Sequence, residues 1–362
     1  MKMKRNILGG LAVLLAAALL LAGPALAGAP QAGKAAPLAQ QPTLPARLYF
    51  PLVLKSAEYL TEPPPYSTSY YMKTVDPSIS YNMGCAVGKE HLAAPGRQDQ
   101  VVVLDYGYTK DVNGVFGASL FGFGPVSTAQ IAAAVESYAM GYYICTGEDF
   151  SSNLVVAVGT NNYPGAYNPS VTYAHGQAWA LMINQINDWI LQKGYFAQVQ
   201  AVGANDIELS WNYPGPTIDW VNGYDAANQY DLYNFGAIPG CPYIASPNAQ
   251  CGTYPYLWTR EQVWYVSFGS RPIFPLPEIY LTNGLNAQQW YLMSVYSVTA
   301  HGLPMDFKGV MTTYQACLQR GGCSGIDNPP ASGWNQLNNI LKGDSRTVQI
   351  LRWSTDIKWY GE

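Results

Sequence analysis

Past its first hundred residues the chain alternates short apolar runs with longer stretches of helical periodicity, and few folds accept that order. Residues 101–107, 153–159, 199–206, 231–236, 276–282, 307–313 and 348–353 read as strands. Continuous apolar runs bounded by turn residues belong to strands with no solvent face. Helical segments lie between them. Ser127 is placed to cap one that buries Ile131, Val135 and Tyr138, in the pattern of a helix start. Residues 172–193 put Trp179, Met182, Ile183, Ile186 and Ile190 on one stripe, and Gly194 supplies the stop. Pro216 opens a helix running to 228, another begins at Thr259, and two more cover 287–299 and 332–341. Strict alternation of this kind implies a parallel sheet joined by right-handed crossovers. Seven strands are visible, an eighth can come from the segment before Val101, and no G-x-G-x-x-G turn is present. The fold predicted is α/β: a TIM-type (β/α) barrel of seven to eight strands, regular or irregular, rather than a doubly wound dinucleotide fold.

In such a barrel ligands bind at the C-terminal ends of the strands. The third strand ends in Asn205-Asp206-Ile207-Glu208. Successive strand side chains alternate faces, so Asp206 and Glu208 point the same way, about 6–7 Å apart along the strand. Two unpaired carboxylates on a buried strand are costly to keep without a use. Asp105, Asn161, Asn162, Asn234, Glu278, Asn283 and Gln315 also fall near strand ends. Acids converging on one mouth raise one another's pKa, which keeps a carboxyl protonated as a general acid. Glycoside hydrolysis needs that acid and a second carboxylate as base or nucleophile.

The expected catalytic set is Glu208 as general acid, Asp206 as the neighbour that tunes it, and Glu278 as second carboxylate, with Asp105 as the alternative. Trp211, Tyr213, Tyr233 and Tyr280 are candidates for a sugar-stacking wall, and Asp105 and Asn234 for further substrate contacts. Structural roles compete for the same residues. Asp206 can cap a loop or pair with a base, Glu208 can be a loop acid, and Asp105 can be a strand-end turn residue. Glu278 follows Pro275 and Pro277, and proline is unwelcome in a central strand. It can therefore sit at the start of its strand, on the face opposite the mouth.

Composition narrows the class. Charged residues make up 12% and the net charge is −4, so the chain has no basic footprint for nucleic acid. The N-terminus carries Lys2, Lys4 and Arg5, an apolar run over 7–22, and Ala25-Leu26-Ala27. This is the pattern of a secretory signal peptide over 1–27, with a retained anchor as the alternative. Residues 28–65 are rich in Ala, Pro and Gln and read as a linker or arm around an apolar island at 48–54. Residues 66–362 form the barrel. No later segment has the roughly 20 continuous apolar residues of a spanning helix. Six cysteines in an exported chain suggest disulfides. Of the possible pairings, local spacing favours Cys241–Cys251 and Cys317–Cys323, which leaves Cys85–Cys145.

Other chemistries have less support. His91, His175 and His301 lie far apart with no paired metal-ligand spacing. No G-x-S-x-G elbow and no P-loop occur. No cofactor and no metal are expected, Ca²⁺ held by Asp206, Glu208 and backbone carbonyls being the lesser alternative. Several segments resemble uncharacterised secreted bacterial proteins with a glycoside-hydrolase-like TIM barrel: Gly203-Ala204-Asn205-Asp206-Ile207-Glu208, Leu232-Tyr233-Asn234-Phe235-Gly236, Pro277-Glu278-Ile279-Tyr280, Ala287-Gln288-Gln289-Trp290-Tyr291 and Trp353-Ser354-Thr355-Asp356-Ile357-Lys358-Trp359. The likeness spans 99–359 and implies the fold more than an activity. The D-x-E element also looks like the acidic strand ends of cell-wall lysozyme barrels. The sequence thus points to a secreted or extracellular protein that hydrolyses or binds a glycan, such as a polysaccharide or cell-wall glycan. The alternative is a non-catalytic, glycan- or partner-binding cell-surface barrel.

Overall fold

The computed structural model describes residues 61–361 apart from 148, 164–168 and 245. The predicted signal peptide and the arm up to residue 60, with its apolar island, lie outside the described residues.

In chain order the elements begin with β1 (Ser67–Tyr71), α1 (Pro77–Ala93), β2 (Asp99–Val112), β3 (Val115–Leu120), β4 (Gly124–Ser127) and α2 (Thr128–Cys145). Next come β5 (Asn153–Asn161), α3 (Tyr173–Lys193), β6 (Val199–Asp206), α4 (Pro214–Ala227) and β7 (Leu232–Asn234). A short ribbon of β8 (Gln250–Cys251) and β9 (Trp258–Thr259) precedes α5 (Arg260–Trp264) and β10 (Ile273–Pro275). The chain ends with α6 (Leu285–His301), β11 (Gly309–Thr312), α7 (Tyr314–Gln319), α8 (Pro330–Lys342) and β12 (Trp353–Trp359).

Eight of these strands are parallel neighbours in the order β10-β7-β6-β5-β2-β1-β12-β11. The remaining seam is bridged by a parallel pairing of Glu278 with Met311. There Ile279 N–H donates to Met311 O at 2.9 Å, and Met311 N–H to Pro277 O at 2.9 Å. The result is the TIM-type barrel expected, with eight strands. Its irregularities have local causes. Pro275 and Pro277 lack a donor, yet their carbonyls still accept from Lys308 and Met311, while Leu276 and Glu278 donate to β7 and the turn after it. Each proline thus forfeits only one ladder bond. Between β1 and β2 the backbone pairing covers only Tyr70 and Tyr71. Below that point side chains replace it: Ser67 Oγ donates to Val101 O, and Ser69 Oγ accepts from Val103 N at 2.8 Å.

The barrel lumen is filled by Val101, Val103, Ala157, Val202, Ala204, Phe235, Leu276, Met311, Trp353 and Ile357, all buried. The outward faces of the strands meet the helices in a second, larger core. α1 and α2 approach until a Cβ on Gly84 would lie 2.0 Å from Tyr138 O, and one on Gly141 2.1 Å from Tyr81 O. α3 and α4 repeat the device with Gly176 and Gly223, each 1.9 Å from a facing carbonyl. The α2 capping box of Ser127 and Gln130 and the Gly194 stop of α3 (φ 78°) form as the sequence implies.

Other expectations are corrected. The last strand is not 348–353 but β12, because Leu351 lies in the outer core and Trp353 already faces the lumen. The strand predicted at 276–282 begins earlier, at Ile273. The sequence reading missed α1, α7 and the antiparallel β3–β4 hairpin that extends β2. Cys241–Cys251 and Cys317–Cys323 pair as local spacing favours, and Cys85–Cys145 is the pair they leave. Among the described residues no helix is long and apolar enough to cross a membrane.

Candidate active site

The strand register brings four acids to the C-terminal mouth. On β2, Asp105 lies level with Tyr71 of β1 and Gly159 of β5. On β6, Asp206 lies level with Asn161. Because Ile273–Pro275 is the regular part of its strand, Glu278 comes after it, at the mouth, and not on the opposite face. Glu208 stands two residues beyond the end of β6. It is held there by Asn162, whose Oδ1 accepts from Glu208 N at 3.2 Å and whose Nδ2 donates to Glu208 O at 3.1 Å. One carboxylate oxygen from each of Asp206, Glu208 and Glu278 lies within 4.8 Å of the other two.

The surroundings favour protonation. A Cβ at Gly159 would come within 3.1 Å of the Phe235 ring, so that glycine leaves room for Phe235 as an apolar floor beside Asp105. Asp105, Asp206 and Glu278 are buried, and Glu208 is partly exposed. Burial is the main force on all four carboxyls. It drives Asp206 well above the carboxylate range, with the charges of Glu278, Glu208 and Asp105 adding to the rise. It does the same to Glu278, assisted by Glu208 and Asp105 and opposed by the Tyr280 hydroxyl beside it. Glu208 rises only to about 7, because its Oε1 accepts from Ala237 N–H at 2.7 Å. Asp105 also reaches about 7, its Oδ1 accepting from Gly107 N–H at 2.9 Å. The charges that act on Asp206 and Glu278 are those of other carboxylates, and each adds to the rise. Asp105 Oδ2 and Asp206 Oδ1 are buried with no hydrogen-bond partner. A low-dielectric acid cluster of this kind retains protons, and the carboxyl that accepts a backbone N–H is the best stabilised as an anion.

The other anticipated residues are distributed unevenly. Tyr280 borders Glu278 and Tyr71. Trp211 and Tyr213 follow β6 on the rim: Trp211 meets Tyr163 edge-on with ring centroids 5.5 Å apart, and Tyr213 meets Tyr256 at 4.8 Å. Tyr233, by contrast, is 3% exposed and packs inside the lumen against Trp353. One pleat away from the lumen, Asn234 spends its side chain on Ser267 Oγ and Gly236 N. Sequence reasoning missed Tyr71, whose ring lies 4.4 Å from Trp359 and 5.3 Å from Phe121. β1 is short and carries no apolar run, so it gave no signal. His175 is tied into the core by both ring nitrogens. His175 Nε2 lies 2.7 Å from Gly117 O, and its Nδ1 accepts from Trp220 Nε1 at 2.9 Å.

No protein-family model matches the chain, and no curated protein matches it.

Proposed function

We propose that the protein is an exported glycoside-hydrolase-like enzyme whose carboxylates cleave a glycan at the barrel mouth. The observation that carries this reading is the meeting of Asp206, Glu208 and Glu278 with oxygens within 4.8 Å of one another. Their environments also push the acidities apart. Hydrolysis of a glycosidic bond needs one protonated carboxyl and one ionised one, and the short separation suits the retaining arrangement. The roles favoured here differ from the sequence-based expectation. Glu208, whose Oε1 accepts Ala237 N–H, is the group suited to carry charge as nucleophile. The deeper Glu278 is the proton donor, and Asp206 keeps Glu278 protonated. The three disulfides fit an extracellular setting.

Turnover of a panel of aryl glycosides tests both levels of the proposal. Glu208→Gln is expected to lower turnover by roughly 10²–10⁴-fold with folding intact; wild-type rates in that variant would overturn the assignment. With Glu208 as nucleophile, kcat/KM rises as pH increases through about 7. A fall through the same pH would return Glu208 to the role of acid.

A second reading rests on the same oxygens. Three carboxylates at this spacing, with Asp206 Oδ1 lacking a partner, also suit a divalent cation. A rise in melting temperature with millimolar Ca²⁺ that is lost in Asp206→Asn would favour it; no shift would remove it.

A further inference from the structure

We infer that Arg320 and Trp359, on the rim at the ends of β1, β11 and β12, form a subsite for a sugar that carries a carboxylate. The inference rests on the carbohydrate reading above and adds to it a substrate class, an acidic glycan.

Three observations carry it. First, cations gather on one ring of this rim. Trp359 ends β12, and its ring centre lies 4.0 Å from the Arg320 guanidinium and 5.6 Å from the Lys73 ammonium. The two cations come from the loops after β11 and β1, at the same end of the barrel as the acid cluster. Each of these loops also holds one acid, Asp327 and Asp76. Asp76 caps α1 by accepting from Ser78 N and Oγ at 2.8 and 2.7 Å. Among the described residues neither of these acids nor any other carboxylate forms an ion pair with Arg320. Stacking on an indole uses the flat face of a guanidinium and leaves its in-plane N–H donors for an oxyanion. A planar carboxylate matches that fork with two parallel hydrogen bonds.

Second, Arg320 is presented on a fixed support. Its neighbour Gln319 clamps the backbone of Trp359, Nε2 donating to Trp359 O at 2.9 Å and Oε1 accepting from Trp359 N at 2.8 Å. The Cys317–Cys323 disulfide closes the turn around Arg320, and Gly322 N–H returns to Cys317 O at 2.7 Å. That turn requires Gly321 and Gly322, whose φ values are 83° and 102°. A Cβ on either would meet nothing within 4 Å, so the turn stands clear of its neighbours. A preformed donor avoids much of the ordering cost that a flexible side chain carries into binding.

Third, the subsite adjoins the reacting groups. Tyr71 lies level with Asp105 in the sheet and beside Tyr280, which borders Glu278. The Tyr71 ring is 4.4 Å from that of Trp359, and Phe121 completes the group at 5.3 and 5.2 Å from the two. The way from the acids to Arg320 thus runs over half-buried rings, whose faces suit a sugar. A glycan cleaved at the acids sets a neighbouring sugar on these rings, with its substituent toward Arg320. A neutral substituent leaves the charge-assisted bonds unmade. A carboxylate makes them, and gains the counter-charge it needs so near other acids.

Native affinity electrophoresis of the full chain tests this. Gels contain polygalacturonate, alginate or hyaluronan as carboxylate polymers, dextran or hydroxyethyl cellulose as neutral ones, and dextran sulfate as a sulfate polymer. The expected result is retardation by at least one carboxylate polymer and by no neutral one. Arg320→Gln should weaken that binding roughly tenfold or more. Arg320→Lys should restore only part of it, because an ammonium keeps the charge and loses the fork. An unchanged melting temperature checks that both variants fold. On the wild type, free galacturonate should compete with the polymer and galactose should not, which tests the inference whatever the variants do. No retardation by any carboxylate polymer, equal retention by a neutral one, or binding insensitive to Arg320→Gln would overturn it. So would retention by dextran sulfate alone, full recovery in Arg320→Lys, or competition by galactose equal to that by galacturonate. Its failure is separable from that of the hydrolytic reading. Carboxylate polymer binding without turnover of any glycan or aryl glycoside would sink hydrolysis and keep the subsite. Aryl glycoside turnover without such binding would do the reverse.

Discussion

The two oxygens of Asp105 face different surroundings: Oδ1 accepts the Gly107 N–H, and Oδ2 is buried without a partner. The sequence offered a turn residue or a site residue; Oδ1 makes the turn bond, and the residue stands beside the acid cluster. Its folded pKa is raised from 3.8 to about 7, so the folded state holds a proton that the unfolded chain releases. The sign follows: the fold is favoured at low pH, and stability is lost as pH rises from about 4 through about 7. Asp105→Asn keeps the Gly107 bond and removes the titration. It is expected to raise stability by about 1–4 kcal/mol at pH 8 and by little at pH 4. Urea denaturation at the two pH values checks this, and an equal effect at both would refute it. His175 acts in the opposite sense. Burial lowers its pKa to about 4, so its contribution is present above about 6.5 and lost as pH falls toward 4.

At the scale of elements, backbone contact holds the helix layer as much as side-chain packing does. Gly84, Gly88 and Gly141 set the α1–α2 approach, and Gly176 and Gly223 that of α3 and α4. A methyl group at Gly84 would meet backbone atoms that cannot swing aside. Gly84→Ala and Gly176→Ala are therefore expected to cost about 1–3 kcal/mol or more through overpacking, despite the better helix propensity of alanine. A lower urea midpoint checks the claim, and an unchanged or higher one would show that the helices can separate freely. These glycines looked like weak helix positions in the sequence, because the partner that requires them lies far along the chain, as Tyr138 does from Gly84 and Trp220 from Gly176. The acid cluster was more legible. The period-2 spacing placed Asp206 and Glu208 on one face, and the apolar runs placed Asp105 at a strand end. Glu278 was ambiguous because its prolines speak against a central strand, and only the β7 and β11 partners show how few bonds they remove.

For the whole molecule the disulfides are unequal staples. Cys85–Cys145 spans 60 residues and ties α1 to the end of α2, while Cys317–Cys323 spans 6. On the chain-entropy account the long loop contributes about 4 kcal/mol and the short one about 2. Replacing each pair by serines should lower the denaturation midpoint in that order; the reverse order would show that local packing governs instead. The alternation of apolar runs and amphipathic stripes was enough by itself to specify a parallel barrel, since each element's buried face is written in its own periodicity. Helix caps and the two short-range cysteine pairings were equally local and equally legible, and Cys85–Cys145 followed by elimination. Tertiary structure alone decided what depends on register between distant strands. It closed the ring through Glu278 and Met311, added β1 and Tyr71 to the mouth, and turned Tyr233 into the lumen and Asn234 out of it. It also set how far each acid is buried and which of them receives a backbone N–H. Those two quantities fix the proton affinities, and neither is encoded in the spacing of residues along one strand.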